Sequence, residues 1–231
     1  MFGQRALNGP RLPPVRGNPA HLVVFCHGYG ADGNDLIGLA PHWQRLLPTA
    51  AFVAPNGPER CQGAGFQWFP LARLDVEEVR RGVESAAECL NTFLDTELAR
   101  LGLSPDRLIL AGFSQGTMMS LHVGLRRPIK PLAIIGYSGM LAVPERVDQL
   151  GAKAPPILLV HGDVDTMIPP EALFAAAGAL GRAGALVQWH LSRGIAHSID
   201  PEGLLLGATF AAMAIRGTLR RCAGEVHCRI G

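Results

Sequence analysis

The chain has 231 residues, 48% of them apolar, enough to bury a large core and to set disorder aside. The formal net charge is +2, and 19 of the 21 basic residues are Arg, with no basic stripe interleaved with aromatics, so a nucleic-acid partner has little support. The longest apolar run, Gly203 to Ile215, falls short of the about 20 residues that a bilayer span needs, and a core helix explains it better.

Pro10, Pro13, Pro14 and Pro19 interrupt any leader helix in the first 20 residues, so no secretory signal is read there and a cytoplasmic protein without integral membrane association is expected. The five cysteines (Cys26, Cys61, Cys89, Cys222, Cys228) form no CxxC pair, so zinc has no ligand pattern. Cys222 and Cys228 flank His227, but a loosely ordered tail is the preferred reading there over a metal site or a disulfide. No metal and no cofactor is expected.

Residues 1–18 read as an extended, Pro- and Gly-rich lead-in. His21 to Cys26 is a short buried strand, and Asp35 to Leu47 has helical spacing closed by Pro48. Ala51 to Ala54 is a second strand, and residues 59–74 form a long loop carrying Phe66, Trp68 and Phe69. Asp75 to Leu101 is the clearest helix, with apolar residues every three or four positions and Gly102 as its stop.

Strand Arg107 to Gly112, helix Gln115 to Arg127 and strand Leu132 to Tyr137 come next. Strand Ile157 to Val160, helix Pro170 to Leu180, strand Leu186 to Leu191 and helix Pro201 to Leu219 complete the series, ahead of a tail over about 220–231. Alternating strands and helices, several strands being uninterrupted apolar runs, predict an α/β fold with a mostly parallel sheet covered by helices on both faces. No linker, repeat or low-complexity block divides the chain, so one domain spanning 1–231 is expected.

Gly112-Phe113-Ser114-Gln115-Gly116 is a complete G-x-S-x-G between a predicted strand and a predicted helix. A serine nucleophile on such a turn needs small flanking residues, and it places a developing oxyanion at unpaired N–H groups of the helix start. Ser138, in Gly136-Tyr137-Ser138-Gly139, lacks the fifth-position small residue and has no helix behind it, so it reads as a loop residue.

A serine hydroxyl needs an imidazole to take its proton and a carboxylate to orient that imidazole. Of the histidines that follow the acid candidates, His190 lies inside a strand and His227 lies in the tail. His197 sits in a loop at a strand's carboxyl end, where ligands bind in open α/β sheets. Asp163 and Asp165 both follow the strand Ile157 to Val160. Asp163 suits a turn-stabilising role and Asp165 reaches further into the loop, which favours Asp165 while leaving both open.

The backbone N–H of Gln115 is the expected first oxyanion donor, and that of Tyr29, in His27-Gly28-Tyr29-Gly30, the second. Gly28, Gly30 and Gly33 also make a formal G-x-G-x-x-G, which raises dinucleotide binding as a reading of another class. Positions 50–58, where the fingerprint wants an acidic residue for the ribose, hold no Asp or Glu, and Asp32 to Asp35 reads as turn. A non-catalytic binding module is a further alternative, since fold does not fix function.

The ordered motifs HGYGADGNDL, APNGPE, QWF, GFSQG, GYSG, HGDVDTMIP and GIAHS, over roughly residues 21–215, resemble the phospholipase/carboxylesterase family of α/β-hydrolases, which includes bacterial carboxylesterases and acyl-protein thioesterases. The resemblance implies Ser114 as nucleophile, Asp165 as acid, His197 as base, and Tyr29 and Gln115 as oxyanion donors. It also implies a small-molecule ester or thioester as substrate. The QWF loop resembles that of the bacterial esterases, so short- to medium-chain esters rank ahead of acyl-protein thioesters or lysophospholipids. Trp68 and Phe69 are read as lining an acyl pocket, with packing against the core as the even alternative. A homodimer is left open.

Overall fold

The structure, a computed structural model, describes residues 6–144, 147, 154–219 and 227–229. Its elements in chain order are β1 (Arg11–Leu12), β2 (His21–Cys26), α1 (Gly33–Ile37), α2 (Ala40–Gln44), β3 (Ala50–Val53), β4 (Glu59–Arg60), β5 (Phe66–Gln67) and α3 (Val76–Leu101). Then come β6 (Leu108–Phe113), α4 (Gln115–Arg126), β7 (Ala133–Tyr137), β8 (Ile157–Gly162), α5 (Glu171–Arg182), β9 (Val187–Ser192), α6 (Pro201–Ile215) and β10 (His227–Arg229). An eight-stranded sheet has the order β1-β3-β2-β6-β7-β8-β9-β10, and every pairing in it is parallel except β1 with β3.

The period-2 geometry of the strands divides the core into two layers. Leu22, Val24 and Cys26 of β2 face α3 and α4 together with Leu108 and Leu110 of β6. The alternate residues Val23, Phe25, Ile109 and Ala111 face Leu36, Trp43 and the alanine-rich α6. The α4–α5 end of the first layer buries Leu121, Leu125, Leu173 and Leu180 against Ile134 and Ile157. With both sheet faces covered, the central strands have no polar-out alternation, which is why they read as continuous apolar runs.

α3 follows the predicted pattern closely. Asp75 caps it by accepting a hydrogen bond from Glu78 N–H, and Gly102 ends it in the left-handed region at φ 64°. Val79, Val83, Leu90, Leu94 and Leu98 make its buried stripe.

Elsewhere the structure differs from the sequence reading. The single helix expected over 35–47 is two short helices, because Pro41 lacks the N–H that would continue α1. α1 also begins earlier than expected: Asp32 and Asp35 form a reciprocal capping box where a turn was read. The long loop contains the β4–β5 hairpin, paired Glu59 with Gln67 and Arg60 with Phe66.

The lead-in contributes the edge strand β1, paired with Phe52 and Val53. The C-terminal tail is also corrected. His227–Arg229 adds a parallel strand to β9, in register with Val187–Trp189. Two apolar-flanked edges of the sheet thus gain backbone partners supplied by segments with little apolar periodicity of their own. Cys222, like the rest of 220–226, lies outside the described residues.

Leu94 is fully buried between α3 and the sheet. Leu94→Ala should therefore lower the free energy of unfolding by about 2–5 kcal/mol. Urea denaturation checks this, and a loss under about 1 kcal/mol would mean that the α3 face repacks freely.

Candidate active site

The chain leaves β2 toward β3 on one side and leaves β6 toward β7 on the other, so the carboxyl ends of β2 and β6 flank a topological switch point. The β2 end carries His27–Gly30 and the β6 end carries Ser114.

Ser114 is the residue between β6 and α4 and has φ 53° and ψ −116°, a conformation that costs an L-residue about 1–3 kcal/mol. Close contacts hold it there. Its N–H donates to Tyr137 O at 2.9 Å, and its carbonyl accepts from Thr117 N–H at 2.9 Å and Met118 N–H at 3.3 Å. A methyl group on Gly116 would collide with the carbonyl oxygens of Cys26 and His27, and one on Gly112 would collide with the Gly116 backbone. Both motif glycines are therefore required by backbone approach. The hydrogen bonds around the corner leave the Gln115 N–H without a partner among the described residues.

The structure brings Asp165 and His197 together: His197 Nδ1 lies 2.8 Å from Asp165 Oδ2. The other carboxylate oxygen accepts from Met167 N–H at 2.9 Å and Ile168 N–H at 3.0 Å. Burial alone would raise the Asp165 carboxyl, but the His197 hydrogen bond and these two N–H groups outweigh it and hold the carboxyl below its ordinary value. The His197 ring packs on Phe113, the residue before Ser114, with centroids 4.9 Å apart. Imidazole and serine are thus contributed to the same corner.

Asp163 does a different job. Its Oδ1 accepts from Gly194 N–H at 2.6 Å, which ties the Asp165 loop to the loop that carries His197. Of the two aspartates, left open by local sequence, Asp165 is the one that contacts the imidazole.

Tyr29 projects its side chain outward, 49% exposed, with its phenol beside the Cys61 thiol. Its backbone lies in the turn between Gly28 and Gly30, and Gly28 borders the Ser114 side chain, so that a methyl group there would come within 3.3 Å of Ser114 Cβ. Trp68 and Phe69 are placed differently from the acyl-pocket reading. They are 1% and 0% exposed, Phe69 lies against Gly82 of α3, and neither offers surface to a ligand. Ser138 is 1% exposed with φ 45°, which removes it as a nucleophile open to substrate.

Three side chains near the site had no role in the sequence reading. His161 directs Nε2 to Ile168 O at 2.8 Å and stands 3.3 Å from Asp165 Oδ2, so it supports the carboxylate's loop. His27 is fully buried. Gly57 N–H donates to its Nε2 at 2.8 Å, which assigns the proton to Nδ1, 2.7 Å from Gly28 O. Burial lowers the pKa of His27 and keeps it neutral. The Gln115 side chain, also fully buried, bonds to the backbone of Trp68 and Phe69. The only sequence signal for these was a polar residue at a strand end or helix start, which does not separate support from solvation.

The dinucleotide reading fails on local geometry. The N–H groups at the start of α1 are taken by Asn56 and Asp32, so no free cradle faces a pyrophosphate. Among the described residues, no cluster of three or more His, Cys, Asp or Glu is placed to hold a metal ion, and no helix is long and apolar enough to cross a membrane.

Comparison with known proteins agrees with this architecture. The crystal structure of esterase PE8 superposes with a TM-score of 0.85 at 41% identity, covering 92% of this chain and 99% of that one. A carboxylesterase from Mesorhizobium loti, at 22% identity, shares the fold with a TM-score of 0.75 over 92% of this chain and 97% of its own. Acyl-protein thioesterase 1 of Schizosaccharomyces pombe is 30% identical over 208 residues, 84% of this chain and 90% of that protein. The fold is that of the α/β-hydrolases, and the family model described as phospholipase/carboxylesterase matches residues 10–215. With sheet order, serine corner and matched span in agreement, the chain belongs to the phospholipase/carboxylesterase family.

Proposed function

We propose that this protein is a serine carboxylesterase that hydrolyses short- to medium-chain carboxylic esters through an acyl-enzyme intermediate. The observation that carries the proposal is the 2.8 Å bond between His197 Nδ1 and Asp165 Oδ2, made beside a serine held in a strained corner. With Nδ1–H donated to the carboxylate, the Nε2 lone pair is left to accept the Ser114 proton. Ser114 Oγ then attacks the acyl carbon, and His197 returns the proton to the leaving alcohol. Water repeats the sequence on the acyl-enzyme and frees the acid.

The backbone N–H groups of Gln115 and Tyr29 stabilise the oxyanion in both steps, a contribution of about 2.7–4 kcal/mol per donor in known cases. The 41% identity to a protein described as an esterase supports the ester as substrate. The same machinery cleaves thioesters, and the relatives named acyl-protein thioesterase 1 support that second reading.

Ser114→Ala should lower kcat on p-nitrophenyl acetate by a factor on the order of 10⁶ while leaving the unfolding curve in place. Activity retained within about tenfold would reject Ser114 as nucleophile. A p-nitrophenyl ester series set beside one acyl thioester should show higher kcat/KM for the shorter esters; preference for a long-chain thioester would exchange the two readings.

Asp165→Asn should cost a factor on the order of 10⁴ in kcat. A carboxyl held lower in the folded chain than in the unfolded one contributes stability that is complete above its unfolded value. That stability is lost as pH falls through the folded value. The stability difference between wild type and Asp165→Asn should therefore be steady above about pH 4 and narrow below it. Urea titrations at several pH values measure this, and a gap that widens in acid would contradict the geometry.

A further inference from the structure

We propose that Trp68 and the side chain of Gln115 form a clamp that fixes the two oxyanion amides relative to each other, so that Trp68 is a positioning residue for the reaction. This rests on the oxyanion roles given above to Tyr29 and Gln115. Those two amides lie on different elements, one in the turn after β2 and one at the start of α4. Their separation has to be set by something that touches both.

Residues 66–69 touch both. On the turn side, Gly30 N–H donates to Phe66 O at 2.9 Å and Phe66 N–H donates to Ala31 O at 2.8 Å. The Trp68 indole N–H donates to His27 O at 3.0 Å. Tyr29 thus lies in a turn that is gripped on both sides by one short segment. On the helix side, Trp68 N–H donates to Gln115 Oε1 at 2.8 Å, and Gln115 Nε2 donates to Phe69 O at 2.8 Å. The residue that carries the second amide is therefore held by the same segment that holds the first.

Burial makes the clamp stiff. Trp68 is 1% exposed, and His27 and Gln115 are fully buried. Polar groups this deep must be paired, and each lost partner leaves a costly orphan. The His27 ring lies beside the indole, with centroids 5.6 Å apart, and is itself fixed by Gly57. The acceptor that satisfies the indole N–H is the carbonyl that opens the oxyanion turn, so the bond joins the two segments. An apolar residue in place of Gln115 would leave Trp68 N–H and Phe69 O unpaired in the core.

The test compares wild type, Trp68→Phe and Gln115→Met in the full chain. It reads kcat and KM on p-nitrophenyl acetate together with affinity for a trifluoromethyl ketone, whose serine adduct places an alkoxide at the oxyanion position. Trp68→Phe keeps an aromatic ring and loses the N–H. Its kcat should fall about tenfold or more, short of the about 10²–10³-fold that follows outright removal of a donor. Its KM should stay within about twofold, the mark of an interaction expressed only in the transition state. Affinity for the ketone should weaken by the same factor as kcat, and the pH profile should not move. Leu94→Ala, destabilised elsewhere in the core, should keep kcat per folded molecule.

Unchanged kcat and ketone affinity in Trp68→Phe would overturn the proposal. So would a raised KM with normal kcat, which would return Trp68 to the acyl pocket, and so would an equal kcat loss in Leu94→Ala. Gln115→Met, which removes both helix-side bonds, carries the same expectations if Trp68→Phe does not fold. If neither variant folds, the wild-type indole N–H resonance decides: it should be protected from exchange and shift on forming the ketone adduct, and an unmoved resonance overturns the clamp. Failure of a fluorophosphonate to label wild-type Ser114 would instead overturn the esterase reading itself.

Discussion

The backbone at Ser114 is the constraint on which the rest of the site depends. A serine at φ 53° stays there only while its surroundings give it no lower alternative. Here they do not: β6 ends against Tyr137 O, α4 starts against the carbonyls of β2, and the room between them is no larger than a glycine. The strain is small against the large core that supports it, and it sets Ser114 at the junction between β6 and the first turn of α4. In the proposed reaction, one backbone arrangement thus holds Ser114 and the start of α4 together.

The other parts of the site are held by the same economy of short buried bonds. Two aspartates two residues apart divide the work, Asp163 binding the His197 loop at Gly194 and Asp165 binding the imidazole itself. The side chains of His161, His27 and Gln115 have no part in the proposed chemistry. Each pairs its polar atoms with nearby backbone, so the loops around the serine behave as extensions of the sheet. Side chains locked in this way give electrostatic preorganisation, which does not have to be rebuilt during each turnover.

The parallel sheet was legible because β2, β6, β7 and β8 are short apolar runs separated by helices with clear stops, as at Gly102. The serine corner was legible because the pentapeptide fell between such a run and a helix. What local pattern could not supply was anything decided by remote pairing. β1 and β10 exist because sheet edges accept them, and the split between α1 and α2 follows from one missing N–H at Pro41. Trp68 was left even between pocket and core for the same reason: an aromatic in a Gly-rich loop could serve either until the loop is seen folded into the core. Asp163 and Asp165 are chemically identical, and only the position of His197 separates them.

The most direct measurement is rapid acid quench of the protein during turnover of a p-nitrophenyl ester, with intact-mass analysis and peptide mapping. The account predicts a transient mass increase equal to the acyl group, located on Ser114, that decays as the free acid forms. Turnover that proceeds with no acylated species, or with the acyl group on another residue, would contradict it.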